Sequence, residues 1–230
     1  MRHILASIAQ RLRVPSVCVI CNQYHHGPVA MCTACHTLLT PLGPSCYHCA
    51  RPLPESDFLV CGHCCIKKPH YDQVIAATRF EEPIRSLLHE FKYHEGLYLS
   101  AFFSRLIVNA ISPESLKTQC LIPVPMHSKR LRLRGFNHAA ELVKQLGATL
   151  GLPYELSHCK KTINTVPQAS LDAKHRQQNL RNVFSVKPLP YQHITLVDDL
   201  ITTGSTANEI AKTFKKQGVK RVDVWCCSRA

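Results

Sequence analysis

The sequence predicts an α/β fold, a mainly parallel twisted sheet flanked by helices, with a small cysteine-rich metal-binding region ahead of it. Three observations lead there. From about residue 72 onward, short aliphatic runs alternate with amphipathic helical patterns, as repeated strand–helix units require. The run Ile194-Thr195-Leu196-Val197 is aliphatic and β-branched throughout, which suits a parallel strand covered on both faces. The thirteen cysteines are unevenly placed: nine lie between Cys18 and Cys65, and eight of those form four C-x2-C pairs.

Composition narrows the partners. With 230 residues and 45% hydrophobic content, the chain has room for one or two domains. Its 28 basic and 15 acidic residues give a formal charge of +13. That balance favours nucleic acid, phosphates or an acidic membrane surface without selecting among them. No run approaches the roughly 18 apolar residues of a membrane span. The N-terminus MRHILASIAQRLRVP has too short an apolar stretch and the wrong flanks for a signal peptide. A short amphipathic helix ended by Pro15 is expected there, and a cytoplasmic location for the protein. Disulfides are not expected without an export signal.

The pairs are Cys18/Cys21, Cys32/Cys35, Cys46/Cys49 and Cys61/Cys64. Ten residues separate the first pair from the second, and eleven the third from the fourth. A C-x2-C knuckle aims two thiolates at one point, and two knuckles complete a tetrahedral Zn(Cys)4 site. Two zinc modules in series are expected, about 18–35 and 46–64, with metal supplying most of the folding energy of a segment poor in apolar residues. Interleaved pairing, substitution by Cys65, His48 or His63, and iron–sulfur ligation stay open. Each Zn(Cys)4 carries −2, so two sites bring the formal +13 to about +9. Residues 1–70 hold only six basic side chains, a thin surface for nucleic acid, so a structural staple is at least as good a reading of this region.

A boundary is expected near residue 70, giving segments 1–70 and 71–230. Asp72 to Phe80 has strand character. Pro83 then opens a helix with Ile84, Leu87, Leu88 and Phe91 at helical spacing. Lys92 and Tyr93 at its end could face the site, but surface positions at a helix end are the stronger expectation. A second helix spans about Leu97 to Ile111. Cys120 to Pro125 is a short strand closed by prolines. Lys129, Arg130, Arg132 and Arg134 then precede Gly135-Phe136-Asn137, placing four cations between a strand end and a helix start. Arginine binds phosphate oxygens in a bidentate way, so this segment suits a diphosphate. Asn137 is the expected cap of a helix reaching Leu150, and His138 an exposed first-turn residue. Residues 158–182 are polar and basic, expected as a mobile loop followed by a short helix from Ala173 to Leu180. Strands are expected at Val183–Val186 and Val219–Cys227, with Cys226 and Cys227 buried as small hydrophobes.

The most informative stretch is the string from Val197 to Thr206, VDDLITTGST. A strand, two carboxylates, a turn of small hydroxyl residues and a helix start make an anion cradle, because unpaired N–H groups and the positive helix end converge there. Gly204 permits close backbone approach. Asp198 and Asp199 repel a polyphosphate but accept hydrogen bonds from ribose hydroxyls, so the string selects a sugar phosphate. An ordinary strand end with a helix cap would share only part of the pattern. No G-x-G and no G-x4-G-K-[ST] occurs, which excludes the dinucleotide fingerprint and the P-loop. No hydrolase constellation is legible, and neither is a nucleobase pocket.

Over essentially its full length the chain resembles the ComF family, also called GntX-like or amidophosphoribosyltransferase-like proteins. The resemblance rests on the knuckles, PVPMHSKRLRLRGFN, T-x2-Q-x2-L-x4-R-x2-N from Thr165 to Asn179, and VDDLITTGST. Two positions depart from it: His138 stands where Gln is typical, and Lys161 where Arg is usual. The resemblance implies a type I phosphoribosyltransferase fold that binds phosphoribosyl diphosphate (PRPP) with Mg²⁺. Asp198 and Asp199 would hold the ribose hydroxyls, and Thr202, Thr203, Gly204, Ser205 and Thr206 the 5-phosphate. Arg130, Arg132, Arg134, Gly135 and Asn137 would form the diphosphate loop. Lys161, Gln168, Arg176 and Asn179 would belong to a hood over the ligand. No catalytic residue is assigned. The family's association with natural competence implies handling of single-stranded DNA, with competence-machinery partners such as a DNA translocase. An active phosphoribosyltransferase of unknown acceptor and a PRPP-sensing regulator are the alternative readings.

Overall fold

The computed structural model describes residues 15–27, 30–54, 57–93, 96–163 and 183–230. Its centre is a four-stranded parallel sheet built from β3 (Gln73–Arg79), β4 (Cys120–Pro123), β7 (His193–Ile201) and β8 (Arg221–Arg229). The order is β3-β8-β7-β4, so the last strand lies inside the sheet beside β7 rather than at its margin. That explains why β8 is buried along eight of its nine residues. Two further pairs are antiparallel: β1 (Ser16–Val17) with β2 (Tyr24–His25), and β5 (Cys159–Lys161) with β6 (Phe184–Val186). The expected loop at 158–163 therefore starts as a strand, and the strand at 183–186 pairs with it instead of joining the main sheet.

Strand alternation sorts side chains into two cores. Val74, Ala76, Cys120, Ile122, Ile194, Leu196, Val222, Val224 and Cys226 face one layer, where α7 (Ser205–Lys216) buries Ala207, Ile210, Ala211 and Phe214. Leu121, Val197, Trp225 and Cys227 face the other. That second layer is made by α3 (Ile84–Tyr93), α4 (Ser100–Ala110) and α6 (His138–Leu150). The apolar spacing of α3 is as expected, with Ile84, Leu87, Leu88 and Phe91 all buried. The helix after it begins at Ser100, behind a 3-10 turn at Gly96–Leu99. Cys226 and Cys227 are fully buried, one facing each core.

The cysteine region is woven into the same packing. Cys18, Met31, Cys35 and Leu39 belong to the core around α3, α4 and α6, whereas Leu42, Ala50 and Tyr71 belong to the α7 side. Both sheet edges are covered. The Arg79 amide donates to the Thr40 carbonyl at 3.1 Å, while Leu121 bonds to the Pro153 carbonyl at 2.9 Å. Edge strands left open are templates for unwanted pairing, so short covering segments are a protective device. The expected N-terminal helix and the helix at 173–180 lie outside the described residues.

Trp225 sits in the middle of this packing with no exposed surface. Trp225→Ala should cost about 3–5 kcal/mol in urea unfolding. The change removes the chain's single tryptophan, so the transition must be followed by circular dichroism.

Candidate functional site

Strand periodicity determines what the two acids of β7 do. Successive side chains point to opposite faces, so Asp198 follows Leu196 toward the α7 side and Asp199 follows Val197 toward the helices α3 and α6. Asp199 is only 3% exposed. Lys92, at the end of α3, forms an ion pair with its Oδ2. His138, in the first turn of α6, meets its Oδ1 at 3.2 Å. Arginine has no acceptor, so the 3.2 Å contact from Arg134 Nη1 makes His138 Nδ1 the acceptor. His138 is thereby the Nε2–H tautomer, donating to Asp199. Arg134 also lies 4.6 Å over the Tyr93 ring.

These contacts correct two expectations. Lys92 is not a surface residue, because the helix end brings its ammonium to a buried carboxylate. His138 is buried, not exposed, because the Asn137 cap turns α6 so that its first side chain faces the sheet. The Asn137 Oδ1 accepts from Ala139 N at 3.1 Å, as a cap should, and its Nδ2 donates to Val124 O at 3.1 Å. Burial works to raise Asp199, but His138 and Lys92 outweigh it and hold this carboxyl well below the usual range. Burial and the neighbouring Asp199 charge push Asp198 well above its usual range. One acid of the pair carries the charge and the other is driven toward the neutral form.

Asp198 lines a cavity of about 370 Å³ together with Thr202, Gly204, Ser205 and Thr206 on one side and Arg130, Arg134, Asn137 and Lys161 on the other. Gly204 is left-handed, with φ 73°, and offers no side-chain cap to α7; the Ser205 amide donates to Thr203 Oγ1 at 3.4 Å, and the helix start borders this space. Burial and the neighbouring Arg130 push the Lys161 ammonium down to about 8. Of the other expected site residues, Thr203 is exposed, 2.9 Å from Ser205 through their hydroxyls. Asp199, Thr203, Arg132 and Gly135 do not line the cavity. The diphosphate segment is not a loop: Ser128–Arg134 is a short helix, α5, ended by Gly135 at φ 82°. One turn of helix separates Arg130 from Arg134, so both reach the cavity while Arg132 faces solvent. Gln168, Arg176 and Asn179 lie outside the described residues.

A second cavity of about 800 Å³ adjoins the first, sharing Lys92, Tyr93, Arg130 and Arg134 and adding Leu97, Leu133 and Phe136. Three cations, Lys92, Arg130 and Arg134, stand in its walls, and its apolar walls include Leu133, 89% exposed on an otherwise basic helix. Of the aromatic residues, Tyr71 and Trp225 are buried in the core, whereas Tyr24, Tyr47, Tyr93 and Tyr154 are exposed.

The cysteines form two clusters in sequential pairing: Cys18, Cys21, Cys32 and Cys35, then Cys46, Cys49, Cys61 and Cys64. Within each, all four sulfurs lie within 4.8 Å of one another. A tetrahedral thiolate site with metal–sulfur bonds of about 2.3 Å has edges of about 3.8 Å. The Cys21–Cys32 and Cys49–Cys61 sulfur separations are 3.9 and 3.6 Å, so both clusters could hold a zinc ion. Both are built alike. The second knuckle of each opens a short helix, α1 (Thr33–His36) or α2 (Gly62–Ile66), and the first knuckle ends in a left-handed residue, Asn22 or Ala50. Cys65, His48 and His63 fall outside both sets.

Parallel sheet and paired cysteine clusters define a mixed α/β protein with a cation-lined cavity at the end of β7 and two clusters that could hold zinc. The chain is 33% identical over 223 residues to competence protein F of Haemophilus influenzae, covering 93% of this chain and 96% of that one. It is 30% identical over 230 residues to DNA utilization protein YhgH of Salmonella typhimurium, covering 95% and 99%. Identity to competence protein ComFC of Bacillus subtilis is 24% over 202 residues, covering 82% and 79%. This chain belongs to the competence protein F (ComF/YhgH) family. No protein-family model matches it. Among solved structures it is similar to an allosteric regulatory enzyme of purine biosynthesis, with TM-score 0.38 and 16% identity over 60% of this chain and 29% of that one. A second similarity is to a glutamic acid mutant described in a study of an invariant aspartic acid in HPRTs, with TM-score 0.30 and 12% identity over 56% and 64%. At such scores the fold rests on the sheet order itself.

Two outcomes follow from these charges. Lys92→Met leaves a buried carboxylate short of its cation and should destabilise the protein by about 3 kcal/mol in denaturant unfolding. Because Asp199 is held below its ordinary value, its contribution is present above about pH 4 and fades as the pH falls. The gap between parent and variant should therefore narrow on acidification. Separately, affinity for inorganic diphosphate should decline as the pH rises above about 8, where Lys161 loses its proton. In calorimetry, Lys161→Met should bind more weakly and lose that part of the pH dependence.

Proposed function

We propose that this protein is a cytoplasmic, zinc-stabilised member of the competence machinery that binds PRPP with Mg²⁺ and handles single-stranded DNA. The observation that carries the ligand is the first cavity, where Asp198 and the 202–206 turn face Arg130, Arg134 and Lys161. A ribose 5-phosphate needs a backbone cradle and a hydroxyl acceptor, and a diphosphate needs opposed cations. Residues 71–230 provide this site on a type I phosphoribosyltransferase-like sheet, and residues 1–70 staple it through two Zn(Cys)4 centres. Competence enters through the names of the relatives, and the formal +13 favours a polyanionic partner.

The second cavity supplies the base-stacking element that single strands require. Tyr93 and Phe136 offer aromatic surface beside Lys92, Arg130 and Arg134. The same cavity would seat the acceptor of a transferase, and that reading predicts diphosphate release from PRPP when a base or amine is supplied. In purified protein, PRPP titration by calorimetry should show binding that Asp198→Ala weakens about tenfold, as loss of a hydrogen bond to a ribose hydroxyl does. Metal analysis should return two zinc ions per chain, one for each cluster. A fluorescent single strand should bind with an affinity that falls as salt rises. Binding that ignores salt would reject the DNA reading, and PRPP binding unaffected by Asp198→Ala would reject the ribose assignment.

A further inference from the structure

Two buried side chains join the second cysteine cluster to the turn that follows β7. Arg229, near the end of β8, is 5% exposed. Its Nε donates to the Cys49 carbonyl at 2.9 Å and its Nη1 to the Ile201 carbonyl at 3.2 Å, with the Ala230 carbonyl as a further acceptor. Cys49 belongs to the cluster, and Ile201 is the residue from which the chain enters the turn. Tyr71 meets the other end. It is 3% exposed, and its hydroxyl would stand 2.7 Å from a Cβ placed on Gly204. Tyr71 also shares a packed core with Ala50, the residue that ends the first knuckle of this cluster. The same side of the cluster also reaches α7. The His48 ring meets the Asp72 carbonyl at 2.7 Å, and the Asp72 carboxylate pairs with Lys215 at 2.8 Å. The first cluster instead joins the core on the opposite face of the sheet.

We infer that Arg229 and Tyr71 are positioning residues through which metal binding at the second cluster holds the 202–204 turn in its phosphate-accepting shape. This rests on the phosphate reading of that turn given above. A knuckle closed on a metal ion has a fixed backbone, and metal binding here is folding free energy. The Cys49 carbonyl is then a rigid anchor. Arginine's planar fork transmits that rigidity to Ile201 in a way a lysine cannot, because one ammonium on a flexible stem does not hold two diverging acceptors in register. A turn ordered in advance loses less entropy when a ligand arrives, so it binds more tightly. Gly204 is required at this point for a second reason: besides its positive φ, any side chain would collide with the Tyr71 hydroxyl.

The test uses the full-length zinc-loaded protein and three variants: Arg229→Lys, Cys61→Ser in the second cluster, and Met31→Ala in the core beside the first. Hydrogen exchange is followed in peptides covering 201–208, with metal content, melting temperature and PRPP affinity measured in parallel. Arg229→Lys should keep its full metal content yet speed exchange in 202–206 and weaken PRPP binding about tenfold. Cys61→Ser should lose one metal ion and do the same. Met31→Ala should lower the melting temperature while leaving exchange in the turn and affinity at parental values. Unchanged exchange in Arg229→Lys, or equal loosening of the turn in Met31→Ala, would overturn the inference. Should Cys61→Ser fail to fold, Arg229→Lys decides alone. Should the parent itself not bind PRPP, the phosphate reading fails while the exchange data still decide the coupling.

Discussion

Two neighbouring carboxylates at the end of a buried strand cannot both stay charged without help. Removing one carboxylate from water costs several kcal/mol unless it is paired, and a second beside it raises the cost further. The structure meets this constraint by dividing the charge unequally between two carboxyl groups whose oxygens lie within 4.8 Å of each other. Asp199 receives the Lys92 ammonium and the His138 Nε2–H, and Asp198 is displaced toward its neutral form. Much of the surrounding architecture follows. The end of α3 must reach the end of β7, so Phe91 and His138 pack edge to face with ring centres 6.0 Å apart. The start of α6 must point inward, which the Asn137 cap and its bond to Val124 enforce. A network of this kind is specific as well as stabilising, since a slip of one residue in β7 would exchange the two acids.

The cysteine clusters solve a different problem. The segment carrying them is short of apolar residues, and a small unit of that kind needs a staple. The two staples then differ in what they brace. The first merges with the helical core through Cys18, Met31, Cys35 and Leu39. The second keeps a small core of its own, four cysteines with Leu53 and Val60, and touches the sheet through Arg229 and Tyr71. Ala50, buried and held at φ 54°, is a local strain that the closed knuckle imposes. Its counterpart in the first module is Asn22, a residue type that adopts this conformation more readily.

What the sequence made legible, and what it hid, divides along physical lines. The C-x2-C spacing gave both clusters and their sequential pairing, and the sulfur separations removed the interleaved alternative. Period and length gave α3, α6 and β7, because their apolar faces are long enough to leave a clear pattern. The string VDDLITTGST placed a strand, a turn and a helix correctly, but not the separate environments of its two acids. That separation was implicit in the period-2 alternation continuing from Leu196 and Val197. Lys92 was hidden because a lysine at a helix end is ordinarily solvated, and only the tertiary approach of α3 to β7 supplies its partner. His138 was misplaced for a similar reason: a first-turn residue faces in or out according to the cap angle, which has no sequence period. Helix α5 was missed because it is short and buries nothing, so no apolar stripe marks it.

The charge layout of the cavity favours an anion over a neutral sugar. Arg130, Arg134, Lys161 and Lys92 all border a space of about 370 Å³, and Lys92 is already engaged by Asp199. The remaining cations repel one another, and Lys161 shows it, being pushed down to about 8 by burial and Arg130. Asp198 gives little relief, since burial and Asp199 drive it toward the neutral form. A phosphate entering between the helix start and these cations would lower the repulsion and favour the charged form of Lys161. A neutral acid at Asp198 then costs the anion nothing and can still exchange hydrogen bonds with a hydroxyl. Dividing the acids is thus what lets two carboxylates sit beside a phosphate cradle without opposing it.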